Sequence, residues 1–283
     1  MKVLVVGSLT VDEIRIGGRS IKQMGGGACY SSIASARMGC TTVVQTIIGR
    51  DFPKEWLKTL EEESIEVVYE EGESSTAFIN IYRDDMRVQY LNSFSGVISN
   101  IPTVSFDVSH ITPVFHEVPL SILEGVSSRV CSVDVQGYVR RADHEGRIYG
   151  VKWKPDKKYL KEIDILHFSD DEQPYLDLQD PLLLENVRVI CFTHGADGAS
   201  ILTSGERYTV PSYPTKHVDP TGAGDVFSVV FAIAVAEGYD FYDAGLLASA
   251  AASLLVEEWG WKDIEKDKVF TRYKELRERF PPP

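Results

Sequence analysis

Residues 219–225 read Asp-Pro-Thr-Gly-Ala-Gly-Asp, and residues 226–236 continue as Val-Phe-Ser-Val-Val-Phe-Ala-Ile-Ala-Val-Ala. The second run is apolar on nearly every side, which makes it a buried helix rather than a surface one. Its first backbone N–H groups have no partner within the helix, and the helix dipole there favours negative charge. Gly222 and Gly224 carry no Cβ to obstruct a close backbone approach, so the helix start is a ready anion site. Asp225 sits in the first turn, beside that anion. A carboxylate there suits a base that takes the proton from a hydroxyl attacking a phosphoryl group. The plainer reading is a tight turn followed by a helix-dipole partner, and the rest of the chain decides between them.

Working outward, Lys2–Val6 is a buried strand by pattern and ends at Gly7-Ser8. Gly27–Arg37 reads as a helix closed by Gly39, 42–48 as a strand, and 53–63 as an amphipathic helix with Trp56, Leu57 and Leu60 on one side. From His110 onward the alternation resumes with strands at 130–135, 163–168 and Val189–Thr193, then the helix after Gly222. A small-residue helix at 244–257 and a charged helix at 262–279 complete the chain. Strand–helix alternation of this kind predicts an α/β fold with a doubly wound, mostly parallel sheet flanked by helices. Two stretches break the alternation. Residues 11–24 are glycine-punctuated and strand-like. Residues 75–98 hold a hairpin with Ala77, Ile79 and Ile81 alternating, a turn at Asp84-Asp85, then Val88 and Tyr90. Strands without helices predict a small sheet projecting from a single domain spanning 1–283.

Composition sets outer limits. The 283 residues suffice for a sizeable core, and 42 acidic against 29 basic residues give a formal charge of −13. That balance excludes nucleic acid as a general partner, since phosphate backbones are bound by clustered Lys and Arg. The four cysteines are scattered without a Cys-x-x-Cys pair, which predicts a reducing, cytoplasmic setting. No apolar run is long enough to span a bilayer.

Three segments together resemble the ribokinase-like (PfkB-type) carbohydrate kinase family. Residues 219–225 are similar to its C-terminal signature, with Pro220 where Thr is usual. Gly25-Gly-Gly-Ala-Cys-Tyr-Ser-Ser-Ile-Ala-Ser-Ala-Arg-Met-Gly39 is similar to its glycine-led helix. Cys191-Phe-Thr-His-Gly-Ala-Asp-Gly-Ala199 is similar to the strand and loop before its nucleotide site. The three stand in the family's order, and the likeness can be followed over almost the whole chain.

The resemblance implies an ATP- and Mg²⁺-dependent kinase acting on a hydroxyl of a small sugar or polyol. Asp225 would be the base and the backbone of Gly222, Ala223 and Gly224 the anion hole. Asp12, Gly25, Gly26, Gly27, Gln136 and Arg140 would meet the acceptor, with the two strand-only stretches as a lid over it. Thr193, Gly195, Gly222 and Gly224 would run along the nucleotide, and Ala250 and Ser253 would wall its adenine. Residues 169–172, Ser-Asp-Asp-Glu, are similar to the family's Asn-x-x-Glu, which makes Glu172 a metal residue acting through water. In part of the family a monovalent cation neighbours the 219–221 turn and lids pair into homodimers. Both are open here, the cation more so because of Pro220. Tyr30 stands where ribokinase-type members carry Asn, which speaks against ribose. Residues 112–119, 134–140 and 168–172 look like the inositol-kinase branch, so myo-inositol is the leading acceptor. A nucleoside kinase of the same family and a catalytically silent sugar-binding regulator are the alternatives.

Overall fold

The computed structural model describes residues 1–283 apart from 84, 85, 179, 261–263 and 283. Its elements in chain order begin β1 (Lys2–Val6), β2 (Thr10–Ile16), β3 (Arg19–Gly25), α1 (Gly27–Arg37), β4 (Thr41–Gly49), α2 (Lys54–Glu62) and β5 (Ile65–Gly72). Next come β6 (Ala77–Arg83), β7 (Met86–Ser93), β8 (Phe106–Ile111), β9 (Ser128–Asp134), β10 (Arg140–Ala142) and β11 (Ile148–Gly150). Then follow α3 (Lys157–Leu160), β12 (Ile165–Ser169), α4 (Pro181–Asn186), β13 (Val189–Thr193), β14 (Ala199–Leu202) and β15 (Arg207–Val210). The helices α5 (Ala223–Glu237), α6 (Phe241–Leu255) and α7 (Lys266–Arg279) end the chain.

Nine strands form the main sheet in the order β15-β14-β13-β12-β9-β8-β1-β4-β5. It is parallel from β13 to β5, and β14 and β15 add an antiparallel edge. That edge was not legible in the sequence, because 199–210 is short and half polar. Parallel strands must be covered on both faces, and two apolar cores do so here. One gathers α1, α5 and α6 around Val5, Phe231 and Leu247. The other lies on the opposite face around Leu4, Val133 and Phe168.

Both strand-only stretches join one four-stranded sheet, ordered β3-β2-β6-β7. Residues 94–98, read as part of the insert, leave that sheet: Ile98 is fully buried in the second core and its N–H donates to Glu117 O at 2.7 Å. The Asp84-Asp85 turn lies outside the described residues. The apolar alternation of Ala77, Ile79 and Ile81 marks one face of β6, but not the inner one. Phe78 and Asn80 are the buried positions on β6, while the isoleucines sit half-buried on the outer face. Helix α6 starts at Phe241, ahead of the expected 244, because the Asp240 carboxylate caps it by accepting from the Asp243 N–H at 2.8 Å.

Candidate active site

At the start of α5, Gly222 takes a left-handed φ of 82°, which an L side chain rarely adopts. A Cβ at this position would also run into the Tyr30 ring. Asp219 sets the turn, its carboxylate accepting from the Thr221 N–H at 3.0 Å. The Ala223 N–H donates to Pro220 O at 3.2 Å. Of the three expected anion-hole donors, Ala223 is therefore occupied within the turn. Among the described residues, the N–H groups of Gly222, Gly224 and Asp225 meet no backbone acceptor, and they are the free donors. The buried Thr221 hydroxyl beside them likewise lacks a partner there.

Asp225 lines a cavity of about 500 Å³. Its Oδ1 accepts from the Thr112 hydroxyl at 3.3 Å. Burial, joined by the nearby Asp134 carboxylate, pushes its pKa up to about 7 against the counter-pull of His110 and His167. A base that gains its proton near neutrality is well matched to proton transfer.

Asp134 closes β9 and is the hub beneath this centre. It accepts from His167 Nδ1 at 2.8 Å and from the Ser228 hydroxyl at 2.7 Å, with His110 Nε2 3.5 Å away. Burial alone would raise the Asp134 pKa, but the two imidazoles outweigh it and hold the group below the usual carboxylate range. Burial likewise opposes charge on His167, and Asp134 overrides it, so His167 titrates above its ordinary value. The His167 ring lies under Gly224, its Cε1 3.3 Å from where a Cβ would stand.

The remaining predicted residues divide into three groups. Asp12, Gly26, Gly27, Gln136 and Arg140 line the cavity at the end covered by the small sheet. Asp12 accepts from the Thr10 hydroxyl at 2.7 Å, and burial lifts its pKa to about 6. Thr193, Gly195, Gly222, Gly224 and Ser253 line the other end, with Glu172 between. Two expectations are corrected. Gly25 does not line the cavity; it leaves room for the Asp12 carboxylate, which a Cβ would strike. Ala250 is fully buried in the core, and the face of α6 that walls the cavity carries Ser249, Ala252, Ser253 and Val256. Helical spacing puts 249, 252, 253 and 256 on one side and 250 on another. The Ser253 hydroxyl already accepts from Arg272 at 2.9 Å, which leaves it a wall residue.

Sequence reasoning missed Thr112, His110, Arg87 and Asn80. Asn80 between Ile79 and Ile81 on β6, and Arg87 and Gln89 flanking Val88 on β7, were the available signal for the last two.

Among the described residues no cluster of three or more His, Cys, Asp or Glu could hold a metal. Glu172 spends Oε2 on the Ser169 N–H (2.9 Å) and hydroxyl (2.5 Å), leaving Oε1 for water. That donor set fits a magnesium ion carried by phosphates and reached through water.

The pfkB family carbohydrate kinase model matches residues 2–266. An inositol 3-kinase of Arabidopsis thaliana is 27% identical over 297 positions, covering 97% of this chain and 81% of that protein. A nucleoside kinase of Methanocaldococcus jannaschii is 24% identical, covering 90% of this chain and 87% of its own length. A solved pyrophosphate-dependent kinase in the ribokinase family, complexed with a pyrophosphate analog and myo-inositol, shares the fold. Its TM-score is 0.82 at 22% identity, over 95% of this chain and 99% of that one.

Proposed function

The chain belongs to the pfkB family of carbohydrate kinases, and from that premise we propose that it transfers the terminal phosphoryl group of ATP to a hydroxyl of a small sugar or polyol. The observation that carries this is Asp225: a carboxylate titrating near neutrality, one turn from free backbone donors, at the junction of two halves of one cavity. In the proposed reaction the acceptor hydroxyl lies against Asp225, which takes its proton as the oxygen attacks phosphorus. The N–H groups of Gly222, Gly224 and Asp225 absorb charge on the transferring group. Asp12 accepts hydrogen bonds from neighbouring acceptor hydroxyls, and the β3-β2-β6-β7 sheet excludes water that would compete as acceptor. Magnesium, when bound with ATP, offsets phosphate charge, and Glu172 would orient its water. The part of the cavity between the Gly195 turn and α6 is the proposed seat of the nucleotide. Among the described residues no helix is long and apolar enough to cross a membrane, in keeping with a cytoplasmic enzyme.

Myo-inositol leads the unsubstituted acceptors, on the relatives that are inositol 3-kinases. A nucleoside reading draws on Phe78 and Tyr82, aromatic side chains lining the acceptor half that could stack on a base. The test is ADP release across a panel of polyols, sugars and nucleosides, with products identified by mass. Silence across the panel with both ATP and pyrophosphate would leave a sugar-binding regulator instead.

Two results are expected alongside. Chelation with EDTA abolishes turnover and added Mg²⁺ restores it; full activity after exhaustive chelation would contradict the donor assignment. The pH profile of kcat/KM has an acid limb near 7, because Asp225 must lose its proton to act and its pKa in the unliganded protein is raised to about 7. Below that point the rate falls about tenfold per pH unit, and above about pH 8 it levels off. A flat profile from pH 5.5 to 8 with the true acceptor would remove Asp225 from the role.

A further inference from the structure

Arg87 on β7 and Arg140 at the start of β10 both line the acceptor half of the cavity, near Asp12 and Gln136. Elsewhere in the molecule guanidinium groups close on carboxylates: Arg37 on Glu63 at 2.7 Å, Arg272 on Glu257 at 2.8 Å and Arg277 on Asp243 at 2.5 Å. Arg87 and Arg140 have no such partner among the described residues. Arg140 is partly buried, yet of its five N–H donors one is placed, Nη1 on Val114 O at 3.3 Å. The pair also face each other's charge: burial, then the field of Arg87, lowers the Arg140 pKa to about 10, opposed by Glu172, Asp225 and Asp12. Asp12, Asp225 and Glu172 act on Arg140 from a distance only, and Thr10 already engages Asp12. A neutral polyol would bring neither guanidinium the ion pair that both lack among the described residues. The guanidinium fork matches a phosphate or carboxylate through two parallel hydrogen bonds, which no hydroxyl can reproduce.

We propose that the acceptor carries an anionic substituent, a phosphomonoester or a carboxylate, bound between Arg87 and Arg140 while its free hydroxyl faces Asp225. This rests on the kinase reading and narrows its substrate class to phosphorylated sugars and polyols or sugar acids. The two positive charges match a phosphomonoester dianion better than a carboxylate. Arg87 comes from the covering sheet, so the anion would also draw that sheet onto the cavity.

The test compares matched acceptors at one ATP concentration: myo-inositol with inositol monophosphate, ribose with its 1- and 5-phosphates, fructose with its 6-phosphate, and glucose with gluconate. At least one charged member is expected to exceed its neutral match by about 100-fold or more in kcat/KM, as two charge-assisted pairs imply. A better phosphate identifies a phosphomonoester, and a better gluconate a carboxylate. Arg87→Ala is expected to raise KM for the preferred charged acceptor about 10- to 100-fold with kcat within about threefold, and Arg87→Lys to recover part of the loss. Arg87 is exposed on a sheet edge, so the variant tests binding even where Arg140→Ala fails to fold. Neutral acceptors phosphorylated as well as their charged matches would overturn the anionic subsite and leave the kinase reading intact. An Arg87→Ala variant that lowers kcat for charged and neutral acceptors alike, with KM unmoved, would overturn it too. No turnover of any acceptor would overturn both.

Discussion

Asp225→Asn is expected to lower kcat by roughly 10²–10⁴-fold, the usual cost of removing a general base. It is also expected to stabilise the protein above neutrality. The folded Asp225 keeps its proton up to about pH 7, whereas the ordinary value is 3.8, so ionisation weighs against folding. That penalty grows as pH rises from about 4 to 7 and levels off beyond, reaching on the order of 2–4 kcal/mol. Asparagine, which has no charge to bury, escapes it. The Asn variant should therefore melt above the parent at pH 8, with the gap closing toward pH 4. The dipole-partner reading predicts the opposite pair of results: a loss of about 0.3–1 kcal/mol and little change in rate. Thermal melting at two pH values and steady-state kinetics with the true acceptor separate the two. A variant that melts earlier at pH 8 and turns over within about threefold of the parent would show that Asp225 is not the base.

Gly27→Ala is expected to lower kcat about 100-fold without replacing a group that reacts, because a misplacement near 1 Å at a reacting centre costs about that much. The new Cβ would land on the Thr112 hydroxyl and stand 2.7 Å from Asp225 Oδ1. Thr112 has little room to retreat, being almost fully buried at the end of β8 with its backbone N–H held by Val6 O at 2.9 Å. The base would be pushed from its seat, and overpacking would cost about 1–3 kcal/mol of stability. Gly205→Ala is the control, since nothing lies within 4 Å of the added Cβ there. Parental kcat in Gly27→Ala would show that the Thr112–Asp225 contact plays no part in placing the base.

The two variants probe one arrangement from opposite sides. Gly27 leads α1 and Asp225 leads α5, and these helices pack together over the carboxyl ends of β1 and β8. Ser31 of α1 donates to the Asp225 carbonyl at 3.2 Å, which ties the two starts together. In open α/β sheets this end of the strands is where ligands bind, because the helices begin there and their unpaired N–H groups point inward.

Much of this was legible in the sequence because it is local. An apolar run without a polar side has to be buried, and a glycine pair at its start has to leave backbone exposed, whatever surrounds them. The strand–helix alternation and the glycine-led α1 follow from neighbours in the chain, and so does the expectation of an anion site on Gly222, Ala223 and Gly224 with Asp225 beside it. What depends on distant residues was not legible. Thr112 meets Asp225 across 113 positions of sequence. The raised Asp225 pKa comes from burial and from Asp134, against the pull of His110 and His167, and these three come from three separate strands. Periodicity says which side chains share a face, but not which face turns inward. On β6 the isoleucines lie on the outer face and Phe78 and Asn80 on the buried one, and on α6 Ala250 lies a third of a turn from the wall. The same limit hid Arg87, unremarkable as a single arginine until the fold sets it in one cavity with Arg140. Local chain geometry fixes hydrogen bonding and periodicity over one or two turns. Electrostatic environment is a sum over everything nearby in space, and only the packed chain decides what is near.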